Sequence, residues 1–247
     1  MNAAARRTLA TAARVLSQLR HDPRTVAMLL FVPCLLLVLL RYMYDAQPGT
    51  FDRIGPELLG VFPLLVMFLV TSVAMLRERT GGTLERLLTM PLGKLDLLLG
   101  YALAFGAVAL LQAALASALA IGVLGLDVAG PAWMLFAVAV ADGLLGMALG
   151  LLVSAFAATE FQAVQFLPAV LLPQLLLCGL FVDRADMAPA LHRLSDVLPL
   201  SYAVDAMGRI TRESGVSGRV LADLAVVAGS ALLALALGAV TLRRRTD

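Results

Sequence analysis

Arg77-Glu78-Arg79-Thr80-Gly81-Gly82-Thr83-Leu84-Glu85-Arg86-Leu87-Leu88-Thr89-Met90-Pro91-Leu92-Gly93-Lys94 lies between two apolar stretches, residues 58–76 and the one that begins at Leu95. Each flank is long enough to cross a bilayer as a helix. The charged run between them is therefore a short surface turned to water, and it reads as a place where something outside the membrane takes hold.

The composition agrees with that frame. Hydrophobic residues make up 61% of the chain, charged residues 15%, and the mean hydropathy is +0.92. A soluble domain carries about 25% charged residues, so a water-facing globular fold is excluded. The net charge of +2 gives no sign of a nucleic-acid partner. Cys34 and Cys178 both fall inside apolar runs and read as packed helix residues rather than as a disulfide or a metal site.

A hydrocarbon layer about 30 Å thick takes roughly 20 residues of helix. Six stretches meet that requirement: residues 25–44, 58–76, 95–124, 132–157, 161–182 and 221–242. Backbone groups find no water there, so these stretches must be helices. The fold class is all-α, a six-span membrane protein, with residues 1–24 ahead of a transmembrane domain at 25–247. The first span follows a basic stretch as a signal peptide would, but Arg41-Tyr42-Met43-Tyr44 offers no small-residue cleavage site. It is expected to stay.

Six spans put both termini on one side, together with residues 77–94. That side holds 12 of the basic residues and the other holds 7. By the positive-inside rule the richer side is cytoplasmic, and the expected location is a bacterial inner or plasma membrane.

Residues 5–21 carry Leu9, Ala13, Leu16 and Leu19 near helical spacing, with Arg6, Arg7 and Arg14 on other faces. This predicts an amphipathic helix lying in the cytoplasmic interface. Asp22-Pro23 ends it, because proline restricts the residue before it. On the outer side, residues 183–219 mix apolar and charged residues around Pro189 and Pro199. Two short amphipathic helices are expected there, near 189–197 and 201–211, dipping into the outer leaflet behind the fifth span.

Gly146, Gly150 and Ser154 repeat every fourth residue in the fourth span, a stripe that lets another helix approach closely. Gly100, Ala104 and Gly106 form a weaker one. Asp142 is the one acid deep within a span. An acid at that depth costs about 2.5–3.5 kcal/mol on insertion scales and needs compensation. Two compensations are open: a hydrogen bond from Gln112, at similar depth in the third span, or protonation of the acid. The competing readings of Asp142 and Gln112 are an interhelical bond and a substrate pathway.

The chain has no phosphate-binding G-x-x-x-x-G-K-[ST] loop, no H-E-x-x-H and no G-x-S-x-G. It is expected not to be an enzyme. However, Arg77-Glu78-Arg79-x-x-Gly82-Thr83-Leu84-Glu85-x-Leu87-Leu88-x-x-Pro91 resembles the R-E-x-x-G-T-L-E-x-L-x-x-x-P signature of ABC-2 type transporter permeases. The segment from Leu198 to Met207 resembles the N-P-L-T-Y-x-V element that precedes the last span in the same family, with Leu198 where asparagine is common. The short chain is most similar to exporters of the daunorubicin-resistance, multidrug type.

The resemblance implies a function and several partners. The chain would be the permease subunit of an ATP-driven exporter, effluxing a hydrophobic or amphiphilic drug, antibiotic or lipid. A separate ABC ATPase subunit would hold ATP and Mg, so this chain needs no cofactor of its own. A second six-span subunit, identical or a paralogue, would complete the pathway. Arg77, Glu78, Arg79, Gly82, Thr83, Leu84, Glu85, Arg86 and Pro91 would form the coupling helix, exposed to the ATPase, with Glu160 as a second contact. Two other readings compete: a secondary transporter that needs no ATPase, and a membrane scaffold that recruits a partner through 77–94.

Overall fold

A computed structural model describes residues 3–82 and 93–241. Among these the chain is helical, without strands. The elements are α1 (Ala3–His21), α2 (Pro23–Met43), α3 (Pro48–Thr80), α4 (Lys94–Gly122), α5 (Ala132–Val153), α6 (Glu160–Leu177), a 3-10 turn (Arg184–Asp186), α7 (Pro189–Ser195), α8 (Pro199–Arg212) and α9 (Gly218–Thr241). Six of them, α2 to α6 and α9, are long and apolar enough to cross a membrane. The chain is a multi-pass membrane protein.

Local chemistry sets the first junction. The Asp22 carboxylate accepts from the Thr25 backbone N–H (3.2 Å) and from the Thr25 hydroxyl (2.6 Å). Pro23 occupies the first helical position, where its missing N–H costs nothing. The chain thus turns from α1 into α2 with the helix end satisfied. The hydrogen bonds from the Thr25 hydroxyl and then from its N–H hold the Asp22 carboxyl below its ordinary pKa range.

At 33 residues, α3 is longer than its apolar run, about 50 Å at 1.5 Å per residue. It starts ten residues before the expected span and continues through Arg77, Glu78 and Arg79. No breaker intervenes before Gly81 and Gly82, and Gly82 takes the left-handed φ of +70° that ends the run. Pro56 and Pro63 sit inside the helix.

Packing centres on α5, which is buried on most of its circumference and lies between α3, α9 and α4. The contact with α3 is close. A Cβ at Gly146 would collide with the Leu64 carbonyl, and one at Gly150 would collide with the Thr71 hydroxyl and the Phe68 carbonyl. The Thr71 hydroxyl donates to the Met67 carbonyl (2.7 Å) and has the Met147 carbonyl of α5 at 3.2 Å. Ser154 follows the end of α5, and its carbonyl accepts from Arg79 of α3.

The second glycine stripe serves a different neighbour. A Cβ at Gly100 would lie 2.5 Å from the Thr11 Cβ, so this notch in α4 receives α1. That changes the face α1 buries. Thr11, Ala12 and Val15 are packed against α4, while Leu9 and Leu16, expected on the apolar face, are 50% and 39% exposed. The two faces divide the labour: one joins the bundle and the other is left for its surroundings.

The proposed Gln112–Asp142 bond is not present. Gln112 Nε2 donates to the Leu29 carbonyl of α2 at 2.9 Å. The reason is Pro33, four residues on from Leu29 within α2. Proline has no N–H to offer that carbonyl, and in a buried helix the freed acceptor needs a partner. The amide from α4 supplies it.

At the far end of the bundle, α8 lies deeper than expected. It packs against α3 and α9 as well as α5 and α6, burying Leu200, Ala203, Val204, Ala206, Met207 and Ile210. Arg184 organises the approach to it. Its guanidinium donates to Ser195 Oγ (2.8 Å), Asp196 and Asp205, and it lies over the Tyr202 ring. Tyr202 in turn donates to the Asp196 carbonyl (2.7 Å). The Leu198–Met207 segment is thus held from α7 by hydrogen bonds and from α3 and α9 by apolar packing.

Replacing Gly150 by leucine is expected to abolish stable folding, because backbone atoms of α3 block the side chain. Gly229→Ala, which meets nothing within 4 Å, should be neutral or slightly stabilising. Thermal melting of the purified detergent-solubilised proteins checks both. Gln112→Leu orphans the Leu29 carbonyl and should lower stability by about 1–3 kcal/mol. Adding Pro33→Ala to it should recover part of that loss, since the new N–H can bond Leu29 within α2.

Candidate functional site

The charged end of α3 is where the expected coupling residues begin, and the structure ties them into the bundle. Arg77, Glu78 and Arg79 form the last turns of α3, not the exposed tip of a separate helix. Each reaches a different element. Thr83, Leu84, Glu85, Arg86 and Pro91 lie outside the described residues.

Arg77 forks onto Glu160 at the first turn of α6, Nε to Oε1 at 2.8 Å and Nη2 to Oε2 at 3.1 Å. Both side chains are largely exposed, at 62% and 55%, so the pair itself stabilises by less than about 1 kcal/mol. Its geometry is nonetheless fixed. Thr159 caps α6 by accepting from the Gln162 N–H (3.2 Å), and Gln162 accepts in return from the Ala158 N–H (2.8 Å). The acid at the start of α6 also complements the helix dipole.

Glu78 faces the other way and is mostly buried. Its Oε1 accepts from Arg14 Nη1 (2.9 Å) and from Gln18 Nε2 (3.3 Å), both of α1. Arg14 Nη2 also donates to the Tyr101 hydroxyl of α4 at 2.7 Å. Glu78 Oε2 is buried, with no donor assigned to it among the described residues. Across the undescribed segment, Asp96 in the first turn of α4 accepts from the Gly93 N–H (3.2 Å) and pairs with Arg7 of α1 (Nε–Oδ2 2.8 Å). The two acids that bracket residues 83–92 are therefore both held by α1.

Sequence reasoning missed this bracket. Arg7, Thr11 and Arg14 stand at i, i+4 and i+7, on one face of a helix. That spacing was the available signal, with Glu78 and Asp96 as the acids on either side of the charged elbow.

Asp142 stands apart. It is wholly buried in the middle of α5, and among the described residues neither carboxylate oxygen has a hydrogen-bond partner. Its Oδ2 lies 3.6 Å from where a Cβ on Gly60 would be, close to the Met207 side chain. Asp142 and Gln112 are thus not brought together, and neither lines the cavity of about 500 Å³ found between α1, α2, α3 and α4. Gly146 and Gly150 face α3, the Ser154 carbonyl accepts from Arg79, and none of the three lines that cavity.

The comparisons with known proteins fit this architecture. The family model described as ABC-2 type transporter matches residues 6–210. The probable multidrug ABC transporter permease YbhR of Escherichia coli (strain K12) is 29% identical over 155 residues, covering 63% of this chain and 42% of that protein. YbhS of the same strain, also described as a probable multidrug ABC transporter permease, is 25% identical over 209 residues, 84% of this chain and 55% of that protein. ABC transporter G family member 20 of Dictyostelium discoideum is 24% identical over 156 residues, 63% of this chain and 21% of that protein. The alignments span about half the length of the two bacterial relatives. Six spans, the charged elbow at the end of α3 and a family match that runs from α1 to α8 lead to one assignment: this chain belongs to the ABC-2 type transporter family.

Proposed function

We propose that the chain is the membrane-spanning permease subunit of an ATP-driven exporter, working with a separate ABC ATPase and a second six-span subunit. Its cargo is a hydrophobic or amphiphilic compound moved out of the cytoplasm or inner leaflet, with multidrug efflux and antibiotic resistance as the cellular outcome. The termini and the 77–94 segment face the cytoplasm, as the distribution of arginines requires.

The observation that carries this reading is the bracket around residues 83–92. A force applied to that segment by an ATPase meets Glu78 on one flank and Asp96 on the other. Both are anchored to α1 through Arg14 and Arg7. The same turn of α3 pulls on α6 through Arg77–Glu160. A displacement at the elbow is therefore delivered at once to α1, α3, α4 and α6. Arg77, Glu78 and Arg79 act as the linkage behind the contact surface, and Gly82, Thr83, Leu84, Glu85, Arg86 and Pro91 as that surface itself. Glu160 holds Arg77 and contributes to ATPase contact only at its exposed edge.

Asp142 serves packing in this scheme. It is enclosed by α3, α5 and α8 and lies outside the lining of the cavity between α1 and α4. Asp142→Asn should leave the spectrum of exported compounds unchanged, measured as drug susceptibility across cationic and neutral compounds.

The bracket is tested by charge reversal in the complex reconstituted with its ATPase. Arg14→Glu and Glu78→Arg are each expected to cut substrate-stimulated ATP turnover several-fold, and the double exchange to restore much of it. Single reversals that leave turnover unchanged, or transport that proceeds with no ATPase bound, would favour the secondary-transporter reading instead. Glu160→Gln, by contrast, should shift thermal stability by less than about 1 kcal/mol, since an exposed pair is well screened.

A further inference from the structure

The arginines in and beside α1 divide by face. Arg7 and Arg14 turn into the bundle and pair with Asp96 and Glu78. Arg6, Arg20 and, in the first turn of α2, Arg24 are exposed. Among the described residues none of these three has an acid within ion-pair distance. No Asp or Glu occurs within α1 itself. Asp22, the nearest acid in the chain, already accepts from both the N–H and the hydroxyl of Thr25.

The outward face has an order of its own. Arg6, Leu9, Ala13, Leu16 and Arg20 follow one another at the spacing of a single helical face, and all five are exposed. This stripe lies opposite the one formed by Arg7, Thr11 and Arg14. Its middle is apolar and each end is an arginine, the two ends about 21 Å apart along the helix. Nor can α1 leave the membrane boundary, since it ends at His21 and the first span starts at Pro23. A leaflet edge suits this pattern: the acyl boundary takes the apolar middle and the headgroups take the ends. An acidic protein surface would match the arginines but leave Leu9 and Leu16 without a partner. A zwitterionic headgroup offers each arginine a phosphate beside a competing ammonium, whereas an acidic one offers the phosphate alone. Three uncompensated charges therefore select acidic lipid.

We infer that the outward stripe of α1 is a docking surface for acidic phospholipids of the cytoplasmic leaflet, with Arg6, Arg20 and Arg24 on headgroup phosphates and Leu9 and Leu16 at the acyl boundary. Its consequence for transport rests on the exporter reading. The opposite face of the same helix holds Glu78 and Asp96, the two acids that flank residues 83–92. A helix seated on the leaflet keeps both flanks in one position, so the elbow is presented to an ATPase ready placed. Acidic lipid thereby strengthens coupling without being cargo.

Lipid contact can be read on the full chain alone, with no ATPase present. Trp133, at the start of α5, is the one tryptophan of the chain. In a Trp133→Phe background, Leu16→Trp and, separately, Leu9→Trp place a fluorophore on the stripe. Each purified protein is set in nanodiscs of phosphatidylcholine and phosphatidylglycerol in equal parts, with bromine on the acyl chains of one lipid or the other. Quenching by brominated phosphatidylglycerol should be about threefold stronger than by brominated phosphatidylcholine. Arg6→Gln, Arg20→Gln and Arg24→Gln together should bring the two to parity, with melting near the parent temperature. With the ATPase added, turnover should fall severalfold when phosphatidylglycerol is left out, and the triple variant should show the low turnover in both lipids. Equal quenching before the arginines are changed overturns the acidic-lipid assignment. Absence of quenching by either lipid, as a face turned to water or covered by protein would give, overturns the docking surface itself. A preference that survives the triple variant removes the arginines from it. Selective quenching beside turnover indifferent to lipid overturns the link to coupling. Selective quenching with no ATPase coupling at all sinks the exporter reading and leaves the surface standing.

Discussion

The close approach of α3 and α5 is the constraint from which the rest of the molecule follows. Gly146 and Gly150 remove side chains where the α3 backbone passes, so the two helices meet at carbonyl distance rather than side-chain distance. In lipid there is little hydrophobic force to hold helices together, and packing of this kind takes its place. Because α3 is clamped through its middle, its two ends become rigid extensions. One end carries Glu57 up to Gly208 of α8, and the other carries Arg77, Glu78 and Arg79 to the elbow. A helix free to slide would make a poor linkage.

The second constraint is the satisfaction of backbone acceptors freed by proline. Pro33, Pro56, Pro63, Pro168 and Pro173 all lie inside helices. At Pro33 the repair is visible, a side-chain amide from α4 reaching the abandoned Leu29 carbonyl. That bond pins α2, otherwise mostly exposed, to the bundle. A polar residue that looked functional by depth alone is thus explained by a defect in the neighbouring helix. Asp142 shows the limit of this logic, since its oxygens have no such partner among the described residues.

The spans were legible because runs of some twenty apolar residues admit only one structure in a bilayer. The ends of α3 were not. The helix runs beyond its apolar stretch at both ends, and residues such as Asp52, Arg53 and Glu57 lower the hydropathy without breaking the helix. The face of α1 was misjudged for a different reason. Leucine spacing pointed to Leu9 and Leu16, whereas the notch at Gly100 on a helix nearly ninety residues away decides that Thr11 goes inside. The motif at the elbow named the family at once, but pairings such as Arg14 with Glu78 join residues 64 positions apart. Charge spacing within one helix shows which side chains share a face. It does not show what that face will meet.

Burial sorts the elbow's ion pairs into two kinds, and the difference suits a moving part. Arg77–Glu160 is open to water and easily exchanged, so it adds little to a contact between α3 and α6 that rests on the packing of Leu76 with Ala163. Arg14–Glu78 is mostly enclosed, with Gln18 and Tyr101 completing its bonds. Breaking it strands charge away from solvent, which is expensive. A push on the elbow would then move α1, α3 and α4 as one body, with α6 carried along by its apolar packing on α3.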